Sequence, residues 1–215
     1  KTKISPLMFA IRSGSVDATK AILDSGVNVN EPASDGTRPL VLAIINAHFD
    51  VAAYLLERGA DAKVEDPHGQ PILVLTFMRK AENRALSTVL PRLLPQTGVD
   101  AFTLAELLLT KGADINARYK GNGPPRHVAL GSYRVPFTGA TPFYVAAITA
   151  DVPFMRFLVK HGANPALTTD AGITPLLAAS GIGRWEGETP GSNQDSLEAV
   201  KLAHELGNDP KAEVP

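Results

Sequence analysis

A spacing of 33 residues constrains this chain more than any other feature. Prolines that follow a polar residue and precede an apolar one stand at positions 6, 39, 71, 142 and 175, at intervals of 33, 32, 71 and 33. Glycines that lie two residues before an Asn or Asp stand at 26, 59, 112, 162 and 207, at intervals of 33, 53, 50 and 45. A base period of 33 with three insertions accounts for both series. A fixed period of this length is the mark of stacked repeats, each too small to bury its apolar face alone.

The stretch 35–61 shows the unit at its plainest. It reads as a turn at Asp35-Gly36, a short helix opened by Pro39, a break at Ala47-His48, a second helix over 50–58 and a stop at Gly59. Proline fits the first helical position because the N–H it lacks would have no partner there. The residue before each proline is Ser5, Arg38, Gln70, Thr141 or Thr174, and the two threonines and the serine are good caps. The first helix of each unit is short and apolar, and the second carries apolar residues three and four apart, as at Val51, Tyr54 and Leu55. Helices this short are marginal in isolation, so neighbours must supply the core.

Composition narrows the function classes. With 21 Lys and Arg against 22 Asp and Glu, no global charge points to nucleic acid or an anionic membrane. The absence of cysteine removes disulfides, thiolate metal sites and cysteine nucleophiles. No apolar run reaches the ~20 residues needed to span a bilayer. No signal peptide is visible at Lys1, although a chain opening almost directly on a repeat fits a processed N-terminus, which would place it in the periplasm or outside the cell, and otherwise in the cytoplasm.

These residues resemble ankyrin repeats. The matching pieces are SPLMFA (5–10), DGTRPLVLA (35–43), RGADA (58–62), KGADINA (111–117), GATPFYVAA (139–147), HGANP (161–165) and DAGITPLLAA (170–179). The resemblance implies one all-α solenoid domain of helix-turn-helix units with short β-hairpin loops. The five repeats cover about 2–34, 35–67, 68–117, 138–167 and 170–210. It also implies a non-enzymatic scaffold that binds other proteins through hairpin tips and the concave face of the first helices.

Three insertions depart from a plain array. The first, 80–101, separates the helices of repeat three, begins with helix formers and is cut by Pro91 and Pro95; it is expected to extend the inner helix by a turn before looping. The second, 118–138, is a non-helical finger with Arg118, Lys120, Arg126 and Arg134 and no acidic residue. The third, 182–195, carries Glu186, Glu188 and Asp195 against Arg184, after which Ser196 is expected to cap the last helix. PPR (124–126) before GATPF, with TPLLAASGIGRWEGETPGS (174–192) after it, resembles a group of bacterial ankyrin proteins, several with export signals. In such relatives the array continues, so the end at 211–215 is read as a fragment boundary or a face covered by a partner.

Candidate binding residues follow from register. Six residues after the proline, where the repeat plan expects a polar exposed side chain, stand Arg12, Ile45, Phe77 and Ile148. Three apolar residues there predict a hydrophobic strip on the groove, unless the first insertion folds back over it. The finger adds Arg118, Tyr119, Arg126, Tyr133 and Arg134, cations mixed with aromatics as binding surfaces have them, or else a solvated loop. Trp185 is either an interface anchor or a plug packing its loop. Met8, Val41, Leu73, Tyr144 and Leu177 replace the family's histidine and are expected to pack as an apolar column between repeats. The asparagines after the glycine stops, Asn28, Asn30, Asn116 and Asn164, fit turn chemistry.

No histidine spacing, phosphate loop, nucleophile elbow or paired carboxylate suggests catalysis, a metal or a cofactor. The expected partner is another protein, and the chain is read as a scaffold or accessory subunit of a larger complex. Stacking through uncapped repeat ends is the structural alternative. A small-ligand or enzymatic pocket between the finger and the groove is a third.

Overall fold

The computed structural model describes residues 4–78, 98–121, 135–182 and 192–213. They form two compact units, 1–114 and 115–215. Ten helices lie among the described residues, and the one β-type pairing there is an isolated bridge between Glu65 and Pro71.

In the first unit, α1 (Pro6–Arg12), α3 (Pro39–Ile45) and α5 (Ile72–Met78) form one layer. The second layer is α2 (Val16–Asp24), α4 (Phe49–Glu57) and α6 (Ala101–Thr110). α1 and α3 each pack on their own outer helix and on the next inner helix, and α5 packs on α3 and α6. The second unit repeats the plan with α7 (Pro142–Ile148) and α9 (Pro175–Ala179) in one layer. α8 (Val152–Lys160) and α10 (Asn193–Glu205) form the other. The core is the seam between layers, with Leu7, Ile11, Leu40, Ile44, Leu55, Leu56 and Leu73 in the first unit and Phe143, Phe154 and Leu158 in the second, all essentially inaccessible. Each such side chain stabilises the fold by roughly 1.5–3 kcal/mol relative to exposure.

Local chemistry explains the helix starts. Pro6, Pro39, Pro142 and Pro175 are each the first helical residue. The hydroxyls of Ser5, Thr141 and Thr174 accept from the N–H of Met8, Tyr144 and Leu177. Arg38 caps nothing; its guanidinium donates to the Asn30 carbonyl at 3.3 Å. Gln70 is wholly buried, and among the described residues its amide finds no partner. There the helix begins at Ile72, one residue later than the plan, because Pro71 is held in the bridge with Glu65.

The turns between paired helices need a left-handed residue. Gly14 supplies it at φ 73°, while Ala47 and Ala150 adopt φ 56° and 54° despite their Cβ atoms. The last helix corrects one expectation. Its cap is Ser192, not Ser196: the Asp195 N–H donates to Ser192 Oγ at 3.1 Å, and the Asp195 carboxylate accepts from the Ser192 N–H at 2.7 Å. This reciprocal capping box adds a turn ahead of Ser196, whose hydroxyl donates to the Ser192 carbonyl.

The residues expected to form an apolar column are buried at Met8, Val41 and Leu73 in the first unit and at Tyr144 in the second, where Leu177 is half-buried. Two asparagines do more than close turns. Asn30 donates to the Gly59 carbonyl and accepts from the Asp61 N–H, and Asn116 accepts from the Asn164 N–H, so each ties its repeat to the following one. The expected extension of the inner helix within 80–101 falls on residues outside the described set, as does most of 182–191.

Candidate partner-binding surface

Positions three and six residues after each proline line up as one stripe along the inner helices of the first unit, open to solvent on α1 and partly on α3. On α1 it holds Phe9, 59% exposed, and Arg12, also exposed. On α3 the same positions hold Leu42 and Ile45, both half-buried. On α5 they hold Val74 and Phe77, both buried, and the Phe77 ring meets Phe102 of α6 edge-on at 5.5 Å. The stripe is therefore graded, standing proud at α1 and closing into the core at α5.

This corrects the expected strip. Phe77 and Ile148 are 3% and 2% exposed, so neither is open to a partner; Arg12 and Ile45 remain on the accessible side. Phe77 is drawn in by its aromatic neighbour on α6, and Ile148 lies on α7, whose seven residues are all buried. The exposure of Phe9, three residues after its proline, has no signal in the sequence. An apolar residue at the third position looks the same whether or not it is covered.

The described part of the finger is its base, in the second unit. Tyr119 is buried; its N–H donates to the Ala140 carbonyl and its carbonyl accepts from the Gly139 N–H. Arg118 donates to Asp170 Oδ1 at 2.8 Å and to the Thr168 carbonyl at 3.0 Å. A side chain on Gly139 would collide with both charged groups, so glycine at φ 81° is what lets the clamp close. Tyr119 is thus packed into the base of the finger, while Arg118 is tied to Asp170 with its side chain still 43% exposed. Arg126, Tyr133, Arg134 and Trp185 lie outside the described residues.

Titration is perturbed away from the stripe. Backbone and hydroxyl donors lower the carboxyls of Asp35 (from Thr37), Asp100 (from Thr103) and Asp195 (from Ser192). The Asp24 carboxylate, then the Tyr54 hydroxyl, hold Arg58 more firmly protonated. Among the described residues, no group of three or more His, Cys, Asp or Glu side chains could hold a metal ion, and no helix is long and apolar enough to cross a membrane. A groove of about 290 Å³ between α9, α10 and residues 209–212 is lined by Leu176, Leu177, Val200 and His204; no candidate residue borders it.

Stacked helix pairs with proline-opened inner helices and glycine-ended outer ones define a repeat-built protein-interaction fold. Ankyrin repeat models match residues 1–66 and 138–170, and the chain belongs among the ankyrin repeat proteins. It is 31% identical over 72% of its length to the phosphocholine transferase AnkX of Legionella pneumophila, covering 13% of that protein. A putative ankyrin repeat-containing protein of Treponema pallidum is 29% identical over 76% of the chain, which covers 43% of it. A putative ankyrin repeat protein of Rickettsia felis is 31% identical over 49% of the chain and is covered to 40%. The chain thus spans less than half the length of each of these relatives. Ankyrin repeats are, as a class, protein-interaction modules.

Proposed function

We propose that this chain is a non-enzymatic docking module that binds a partner protein on the stripe formed by Phe9 and Arg12 of α1 with Leu42 and Ile45 of α3. The supporting observation is Phe9: a phenylalanine 59% exposed on a helix whose other apolar residues, Leu7, Met8, Ala10 and Ile11, are buried. More than half of its surface is left uncovered by the repeat. Aromatic and arginine side chains side by side are the residue types that carry most of the energy at protein interfaces.

The test compares proteins captured by the wild-type chain and by Phe9→Asp. A specific partner should be lost with Phe9→Asp while the far-UV circular dichroism stays the same. Equal capture by both would remove this surface from consideration. Phe77→Asp and Ile148→Asp are unsuitable for this purpose, since both would place a charge in the core.

A further inference from the structure

The stripe has one charge. The inner helices of the first unit read PLMFAIR, PLVLAII and ILVLTFM, and Arg12 is their single charged residue. The outer helices, by contrast, carry Asp17, Lys20, Asp24, Asp50, Glu57 and Glu106. Arg58 pairs with Asp24 at 2.7 Å and Arg118 with Asp170 at 2.8 Å, whereas exposed Arg156 on α8 is, like Arg12, without an ion-pair partner among the described residues but lies on an outer helix. Among the described residues the Arg12 guanidinium has no ion-pair partner. Only its backbone is used, the Arg12 carbonyl lying 3.1 Å from His48 Nε2, which fixes the end of α1 without occupying the side chain.

From this unpaired cation beside Phe9 we infer that the occupant of the stripe is an apolar protein segment carrying one carboxylate, an Asp or Glu side chain, at the end that lies over α1. The inference rests on the stripe being the docking surface. Guanidinium binds carboxylate through two parallel hydrogen bonds, and such bonds are about twice as strong as neutral ones. Covering Phe9 with apolar side chains excludes water from the pair and lowers the local dielectric, which strengthens it further. Phosphate-bearing segments fit less well, because they are held by clusters of arginines and α1, α3 and α5 hold one. Past Arg12 the register positions turn apolar, at Leu42 and Ile45, so the rest of the segment must be apolar as well.

The experiment selects a phage-displayed library of random short peptides on the whole chain. It then measures the enriched peptides against wild type, Arg12→Glu and Phe9→Asp. Wild type should enrich apolar peptides bearing one Asp or Glu. Arg12→Glu should weaken them by about tenfold or more, and selection on that variant should favour Lys or Arg at the same place. If Phe9→Asp abolishes binding while Arg12→Glu changes nothing, or if Phe9-dependent peptides lack an acidic residue, the carboxylate is wrong and the surface stands. If no peptide is enriched, or none depends on Phe9, both the carboxylate and the surface fall. Arg12 is exposed, so its substitution leaves the fold intact, as unchanged thermal melting would show.

Discussion

Helices α1 and α7 are near-copies in sequence plan and opposites in environment. Both are seven residues long, open on proline, are capped by a hydroxyl and consist largely of apolar side chains. In α7 every residue is buried, and Phe137 meets the Tyr144 ring edge-on at 6.1 Å. In α1 the third and sixth residues after the proline's own position, Phe9 and Arg12, face solvent. An apolar residue at one register position is thus core in one repeat and surface in another. Neighbours decide which, not the helix itself.

The largest test of this contrast is a pair of truncations. Phe143→Ala should destabilise the protein by about 3–5 kcal/mol, because it empties a fully packed site. Phe9→Ala should change stability by less than ~0.5 kcal/mol, as exposed substitutions do. Urea unfolding of both would break the comparison if the two costs were alike.

The turns leaving these helices give a smaller, mirrored test. Gly14 has φ 73°, and a Cβ there would sit 2.7 Å from the His48 ring, so Gly14→Ala should cost about 1–2 kcal/mol. Ala150, at φ 54°, already carries that strain; Ala150→Gly should relieve it, less the entropy of a freer backbone, for a gain of about 0.5 kcal/mol. Opposite signs in thermal melting are the expected outcome.

The smallest effect concerns pH. Asp195 is held below the ordinary carboxylate value by bonds from the Ser192 N–H and hydroxyl. A lowered folded-state pKa stabilises above the unfolded-state value, and that contribution is lost as pH falls through the folded-state one. The first turn of α10 should therefore loosen progressively as pH falls below about 4. Hydrogen exchange there should show this acid dependence in wild type and not in Asp195→Ala.

Much of the fold was legible because it is local. Proline, hydroxyl caps and glycine stops act within a few residues of themselves, so their spacing exposed the repeat. Where a local signal had a rival, reading by spacing alone slipped. Ser192 and Ser196 both suit a cap, and the Asp195 carboxylate, able to answer Ser192 and not Ser196, settled it. Asn30 and Asn116 fit their own turns, yet their side chains bond the following repeat. Exposure at the candidate positions was half legible. Arg12 is exposed and Ile45 half-buried, as register predicted, whereas Phe77 and Ile148 share that register and are buried.

What the 33-residue period determined by itself was the unit: a short inner helix, opened by its proline in four of the five repeats, a break, a second helix and a glycine stop. What only the tertiary structure decided was exposure. Solvent access at Phe9, and its absence at Phe77, depends on which helices pack alongside. That is a sum over contacts distant in sequence, and no spacing within one repeat encodes it.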